Sequence, residues 1–97
     1  MTNRRELDLA CNMIREEAHR AITLFPSFNS GHEGKAIIEE ELDELWTEVK
    51  ACALGTTPNI LTEAIHVGAM AARFIADVCL SATLPPEESE EGGTECA

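Results

Sequence analysis

Apolar side chains recur every three or four positions along the first quarter of the chain: Leu7, Cys11, Ile14, Ala18, Ala21, Ile22 and Phe25. That period puts them on one stripe of a helix from about Asn3 to Leu24, with Arg4, Arg5, Glu16, His19 and Arg20 on its polar face. Phe25-Pro26-Ser27-Phe28-Asn29-Ser30-Gly31 interrupts the stripe, because proline and glycine end helices. Ser30 followed by Glu33 has the spacing of a capping box and opens a second helix. That helix runs to about Leu54 on Ile38, Leu42, Leu45, Val49 and Cys52, and Gly55 closes it. Thr57 as cap and Pro58 at the first helical position open a third.

The third helix, about Pro58 to Thr83, differs in kind. It is apolar nearly all round, and Gly68, Ala69, Ala71, Ala72 and Ala76 keep it thin. Such a helix is buried on most sides, and two partner helices from a chain this short cannot easily cover it. A second copy can. The pattern therefore predicts an all-α fold: a helical bundle of about three main helices per chain, completed by homodimerisation.

Ninety-seven residues make one small domain. Residues 1–84 are expected to fold, and 85–97, with five acids, no base and no apolar period, read as a disordered, solvated acidic tail. About 84 residues give a marginal core, which oligomerisation helps to complete. The net charge is −11, of which the tail contributes five charges. An acidic body does not attract nucleic acid or anionic membrane, since phosphate backbones reward Lys and Arg patches. It can bind a phosphorylated small molecule when metal ions supply positive charge.

Cys11, Cys52, Cys79 and Cys96 have no Cys-x-x-Cys spacing, and no signal peptide opens the chain. Reduced thiols in a cytoplasm are the expectation. The most apolar segment, Ala64 to Leu80, holds His66, Arg73 and Asp77 and is short of a membrane span.

Chemistry concentrates on the second and third helices. Glu41, Glu44 and Glu48 fall within an arc of about 60° that borders the apolar stripe of the second helix. By itself that arc is what a solvated acidic face looks like. On the third helix the titratable residues after the first turn are Glu63, His66, Arg73 and Asp77, within an arc of about 80°. An ionisable group on a buried helix must be paired or bound, since leaving it unpaired costs roughly several kcal/mol. An ion pair between Arg73 and Asp77, one turn apart, accounts for the lower half of that stripe. It leaves Glu63 and His66 facing a glutamate-rich helix. Carboxylates gathered this way persist best around a cation, and oxygen ligands suit Mg²⁺ or Mn²⁺. No nucleophile–base pair, Gly-rich phosphate loop or basic patch is present. His19 and His32 are expected to be exposed, and Trp46, beside an apolar stripe, to be core.

These residues also carry a resemblance. Glu40-Glu41-x-x-Glu44 followed by Glu63-x-x-His66 resembles the paired motif of the MazG-like all-α nucleoside triphosphate pyrophosphohydrolases, Glu-Glu-x-x-Glu then Glu-x-x-Asp. The stretch from Phe28 to Gly34 and on through Ile38 to Trp46 is similar to small bacterial and phage members. The likeness covers about Ser27 to Asp77. It implies a helical bundle, dimeric or higher, that hydrolyses a nucleoside triphosphate, (d)NTP, to (d)NMP and pyrophosphate using Mg²⁺. By position it makes Glu41, Glu44 and Glu63 metal ligands, with His66 joining them or orienting one. Glu40 and Glu44 become the catalytic carboxylates, Glu40 as the group that orients a ligand or takes a proton from water. Arg73, Lys35 and Phe28 are the candidates for substrate contact. His66 stands where the family has aspartate; imidazole suits Mn²⁺ better than Mg²⁺, and the site loses a negative charge. The alternative function is a non-catalytic helical dimer that binds nucleotide or a protein partner through the same face.

Overall fold

The computed structural model describes residues 1–52 and 55–81. Within them the chain is helical, with no strand: α1 spans Arg4–Leu24, α2 Gly31–Ala51 and α3 Pro58–Phe74, and α3 runs on as a π-helical segment, Ile75–Leu80. The expected all-α class and the three main helices are borne out. The end of the second helix beyond Cys52 and the acidic tail lie outside the described residues.

The helix starts are set by side chains that satisfy backbone N–H groups left over at an N-terminus. Asn3 Oδ1 accepts from the Arg5 and Glu6 amides at 2.8 and 3.2 Å. Ser30 Oγ accepts from the Glu33 amide at 3.1 Å, and the Glu33 carboxylate accepts from the Asn29 amide at 2.6 Å. The capping box thus closes one residue earlier than its usual form. Thr57 Oγ1 accepts from the Ile60 amide at 3.2 Å, ahead of Pro58 in the first turn. After α2, Gly55 takes φ +110°, a left-handed conformation that a Cβ disfavours.

The order of packing follows from α3, which lies against both α1 and α2. Two glycines set the separations. A Cβ on Gly68 would stand 2.6 Å from Ile14 Cδ1, so α1 approaches α3 over a bare backbone. A Cβ on Gly34 would stand 2.6 Å from the Phe74 ring and 3.2 Å from Phe28, so α2 seats on α3 the same way. The core between them is small: Ala21, Phe28, Ala69 and Met70 are buried, with Ala18, Ile37, Ile38, Phe74 and Val78 packed around them.

Much of the apolar pattern stays uncovered on a single chain. Leu7, Ile22, Phe25, Leu42 and Leu61 are about half exposed, and so is Trp46, which carries Lys50 Nζ 5.5 Å from its ring centroid instead of entering the core. The third helix, expected to be enclosed on most sides, buries only Ala69, Met70 and Arg73 among its residues. Cys11 and Cys79 are also exposed. Among the described residues, more apolar side chains are exposed than the small core encloses.

Candidate metal centre and adjoining cavity

Glu41 leaves α2 three residues after Ile38, and Glu63 and His66 leave α3 one turn apart, so the α2–α3 packing brings all three together. One ligand atom from each lies within 4.8 Å of the other two. His66 Nδ1 is 3.5 Å from Glu41 Oε1 and 3.4 Å from Glu63 Oε1. Both carboxylate oxygens are buried and accept no hydrogen bond. Nδ1 carries at most one hydrogen, so it cannot satisfy two oxygens aimed at it. Burial first, then the charge of Glu44, push the Glu41 carboxyl above its usual range; His66 pulls the other way, and Glu63 adds a lesser upward push.

The donor chemistry fits a divalent cation. Two carboxylates with a neutral imidazole leave two negative charges, which one M²⁺ neutralises. The mixed oxygen–nitrogen set suits Mn²⁺ and later transition metals better than Mg²⁺.

A cavity of about 400 Å³ opens beside this group, with Glu41 and His66 in its wall. Glu40, although exposed, lines it as well, and Arg20, Arg73 and Phe28 form other parts of the wall. Arg73 is only 5 % exposed. Its guanidinium stacks 4.4 Å from the Phe28 ring centroid and donates to the Pro26 carbonyl at 2.7 Å. Asp77, expected as its ion-pair partner, instead accepts from the Phe28 amide at 3.0 Å. The two residues therefore act together on the α1–α2 loop, one holding Pro26 and the other Phe28.

The remaining sequence candidates lie further out. Glu44 is exposed and outside the converging group, although its charge reaches Glu41. Lys35 pairs with Glu39 at 2.8 Å on the outer face of α2, away from the cavity wall. His19 and His32 are exposed, as expected.

Glu17 of α1 is the residue that sequence reasoning missed. Its Oε2 lies 3.8 Å from His66 Nε2, and it lines the same cavity. The signal was present in the spacing: Glu17 is three residues after Ile14 and four before Ala21, so it shares their inward face. Arg20 donates to both of its oxygens, at 2.9 and 2.6 Å. Those bonds hold the Glu17 carboxyl below its ordinary range despite partial burial.

No family model, curated protein or solved structure matches the chain.

Proposed function

We propose that this chain is a metal-dependent nucleotide pyrophosphohydrolase of the MazG-like kind, converting (d)NTP and water to (d)NMP and pyrophosphate. The observation that carries this is the pair of buried, donorless oxygens, Glu41 Oε1 and Glu63 Oε1, converging on one nitrogen of His66 at the edge of a cavity. Buried carboxylate oxygens without donors are costly, and a cation that serves both Oε1 atoms at once removes the cost.

Glu41, Glu63 and His66 hold the cation, Mn²⁺ or Mg²⁺, with Glu44 as an outer carboxylate. When bound, the ion neutralises charge building on the phosphates and makes water more acidic. Glu40, on the cavity wall, takes the proton from the attacking water. The water oxygen bonds to the α-phosphorus, the bond from that phosphorus to the bridging oxygen breaks, and pyrophosphate leaves with the electron pair. Arg73 and Phe28 offer the substrate a donor-rich, stacked surface deeper in the cavity, and Lys35 serves only by swinging away from Glu39.

The same proposal includes a homodimer or higher homo-oligomer, supported by the exposed Leu7, Ile22, Leu42, Trp46 and Leu61 beside a small single-chain core. A nucleoside triphosphate is the partner molecule, and a reducing cytoplasm the setting. No helix among the described residues is long and apolar enough to cross a membrane.

One observation favours a second reading. Glu44 lies outside the cluster and one of the cluster's three donors is the imidazole of His66, so the donor set is leaner than a two-metal site needs. A non-catalytic dimer binding nucleotide or a protein partner through this face fits that leaner set. Pyrophosphate release from a panel of dNTPs and NTPs, with Mg²⁺ and Mn²⁺ tested separately, decides between them. Release lost in Glu41→Gln supports the hydrolase, and no release from folded protein with either ion leaves the binding role.

A further inference from the structure

We propose that Glu17 is a positioning residue for His66, accepting the Nε2 proton and so presenting Nδ1 to a cation held by Glu41 and Glu63. The inference rests on the cation-binding reading of the site and adds a third helix to it.

The two ring nitrogens of His66 face different partners. Nδ1 points at Glu41 and Glu63, while Nε2 points at Glu17 Oε2. A nitrogen that ligates a cation carries no proton, so in the neutral ring the proton resides on the other one. The group facing that other nitrogen is an ionised carboxylate, which only accepts. Metal-bound histidines use this arrangement to fix ring orientation and raise ligand basicity. The 3.8 Å separation is longer than a hydrogen bond, so the arrangement requires the ring to shift toward Glu17 as a cation seats between Nδ1 and the two carboxylates.

Glu17 is itself held in place. Arg20 grips both carboxylate oxygens, which keeps the side chain ionised and directed toward α3. The helix approach is set close by: Gly68, two residues beyond His66, leaves room for Ile14, one turn before Glu17. An ordinary surface ion pair in this position would contribute little to stability and nothing to metal affinity.

Mn²⁺ binding, followed by calorimetry and electron paramagnetic resonance, tests this with wild type, Glu17→Ala, Glu17→Gln, His66→Ala and the double variant Glu17→Ala/His66→Ala. Glu17→Ala is expected to weaken Mn²⁺ binding about 10- to 100-fold, and Glu17→Gln, which keeps an acceptor, to weaken it less. In the His66→Ala background the Glu17 substitution should cause no further loss. A second readout uses ¹⁵N resonances of the Zn²⁺-loaded protein: His66 should carry its proton on Nε2, exchanging slowly in wild type and rapidly in Glu17→Ala. Wild-type affinity in Glu17→Ala, an undiminished Glu17 effect without His66, or a proton on Nδ1 would each overturn the inference. If Glu17→Ala does not fold, Glu17→Gln and the wild-type resonances carry the test. Wild-type protein that binds no Mn²⁺ at all overturns the cation reading as well, so the two failures are distinguishable.

Discussion

Glu41 on α2 and His66 on α3 meet across the helix interface, Oε1 to Nδ1, at 3.5 Å, and no hydrogen bond satisfies that oxygen. Without a cation, the ionised form of Glu41 is held at a disadvantage by burial and by neighbouring carboxylates. Glu41→Gln removes that disadvantage together with the ligand. Metal-free Glu41→Gln should therefore melt no lower than wild type at neutral pH. Its Mn²⁺ affinity should fall at least about tenfold, or about 1.4 kcal/mol. Calorimetric melting and titration on the same samples check both halves.

The pH dependence follows from the same carboxyl. Its folded pKa lies above the ordinary 4.5, so over that window the folded state binds more protons than the unfolded one. Stability of the metal-free protein should then decrease as pH rises from 4.5 through the raised value, and this contribution should flatten above it. Glu17, shifted down by Arg20, works oppositely, with stability lost as pH falls through its depressed value. Since protons and cation compete for Glu41, Mn²⁺ affinity should increase with pH across the Glu41 window. Urea unfolding and Mn²⁺ titration at several pH values measure this, with Glu41→Gln expected to abolish the Glu41 part.

Asp77 and Arg73 fasten the α1–α2 loop to the end of α3 through Phe28 N–H and Pro26 C=O. Asp77→Ala leaves the Phe28 amide without its acceptor and should destabilise by about 1–3 kcal/mol. Asp77→Asn retains an acceptor oxygen and should lose much less. The comparison of urea midpoints between the two variants isolates the hydrogen bond from the charge.

Gly34 is required by contact. An alanine there meets the Phe74 and Phe28 rings at 2.6 and 3.2 Å. Overpacking of this kind costs about 1–3 kcal/mol, against about 1 kcal/mol that Gly→Ala gains within a helix. Gly34→Ala should lower the melting temperature through the clash, whereas Ala36→Gly, at an exposed position of the same helix, should lower it by lost helix propensity alone, about 1 kcal/mol.

The exposed apolar side chains predict association. Light scattering with chromatography should give a mass of two chains or more at micromolar concentration. A single-chain mass would remove the oligomer from the account while leaving the metal group, whose ligands come from one chain.

The fold was legible because its signals are local. Ser30, Thr57, Pro58 and Gly55 each act on the backbone within a few residues, and the 3.6-residue period does the rest. The convergence of Glu41, Glu63 and His66 was legible for the same reason, since Glu63 and His66 sit one turn apart on a helix that had to pack against the one carrying Glu41. Two things escaped. Asp77 was assigned to Arg73, its neighbour on the helix, because sequence spacing shows one-turn partners and hides the distant Phe28 amide. Glu17 was not singled out at all, although its place between Ile14 and Ala21 turns it toward His66. Trp46 marks the opposite error: an apolar stripe tells which face seeks burial, and among the described residues too little packs on Trp46 to bury it.

The most direct test of the metal centre is thermal melting against increasing Mn²⁺, and separately Mg²⁺, with wild type and Glu63→Gln side by side. A cation bound only by the folded state raises the melting temperature with concentration; at one hundred times Kd the stabilisation is about 2.7 kcal/mol. The account predicts a saturable rise in wild type, larger for Mn²⁺ than for Mg²⁺, and none in Glu63→Gln at the same concentrations. An unchanged wild-type melting temperature with both ions, or an equal rise in both proteins, would contradict it.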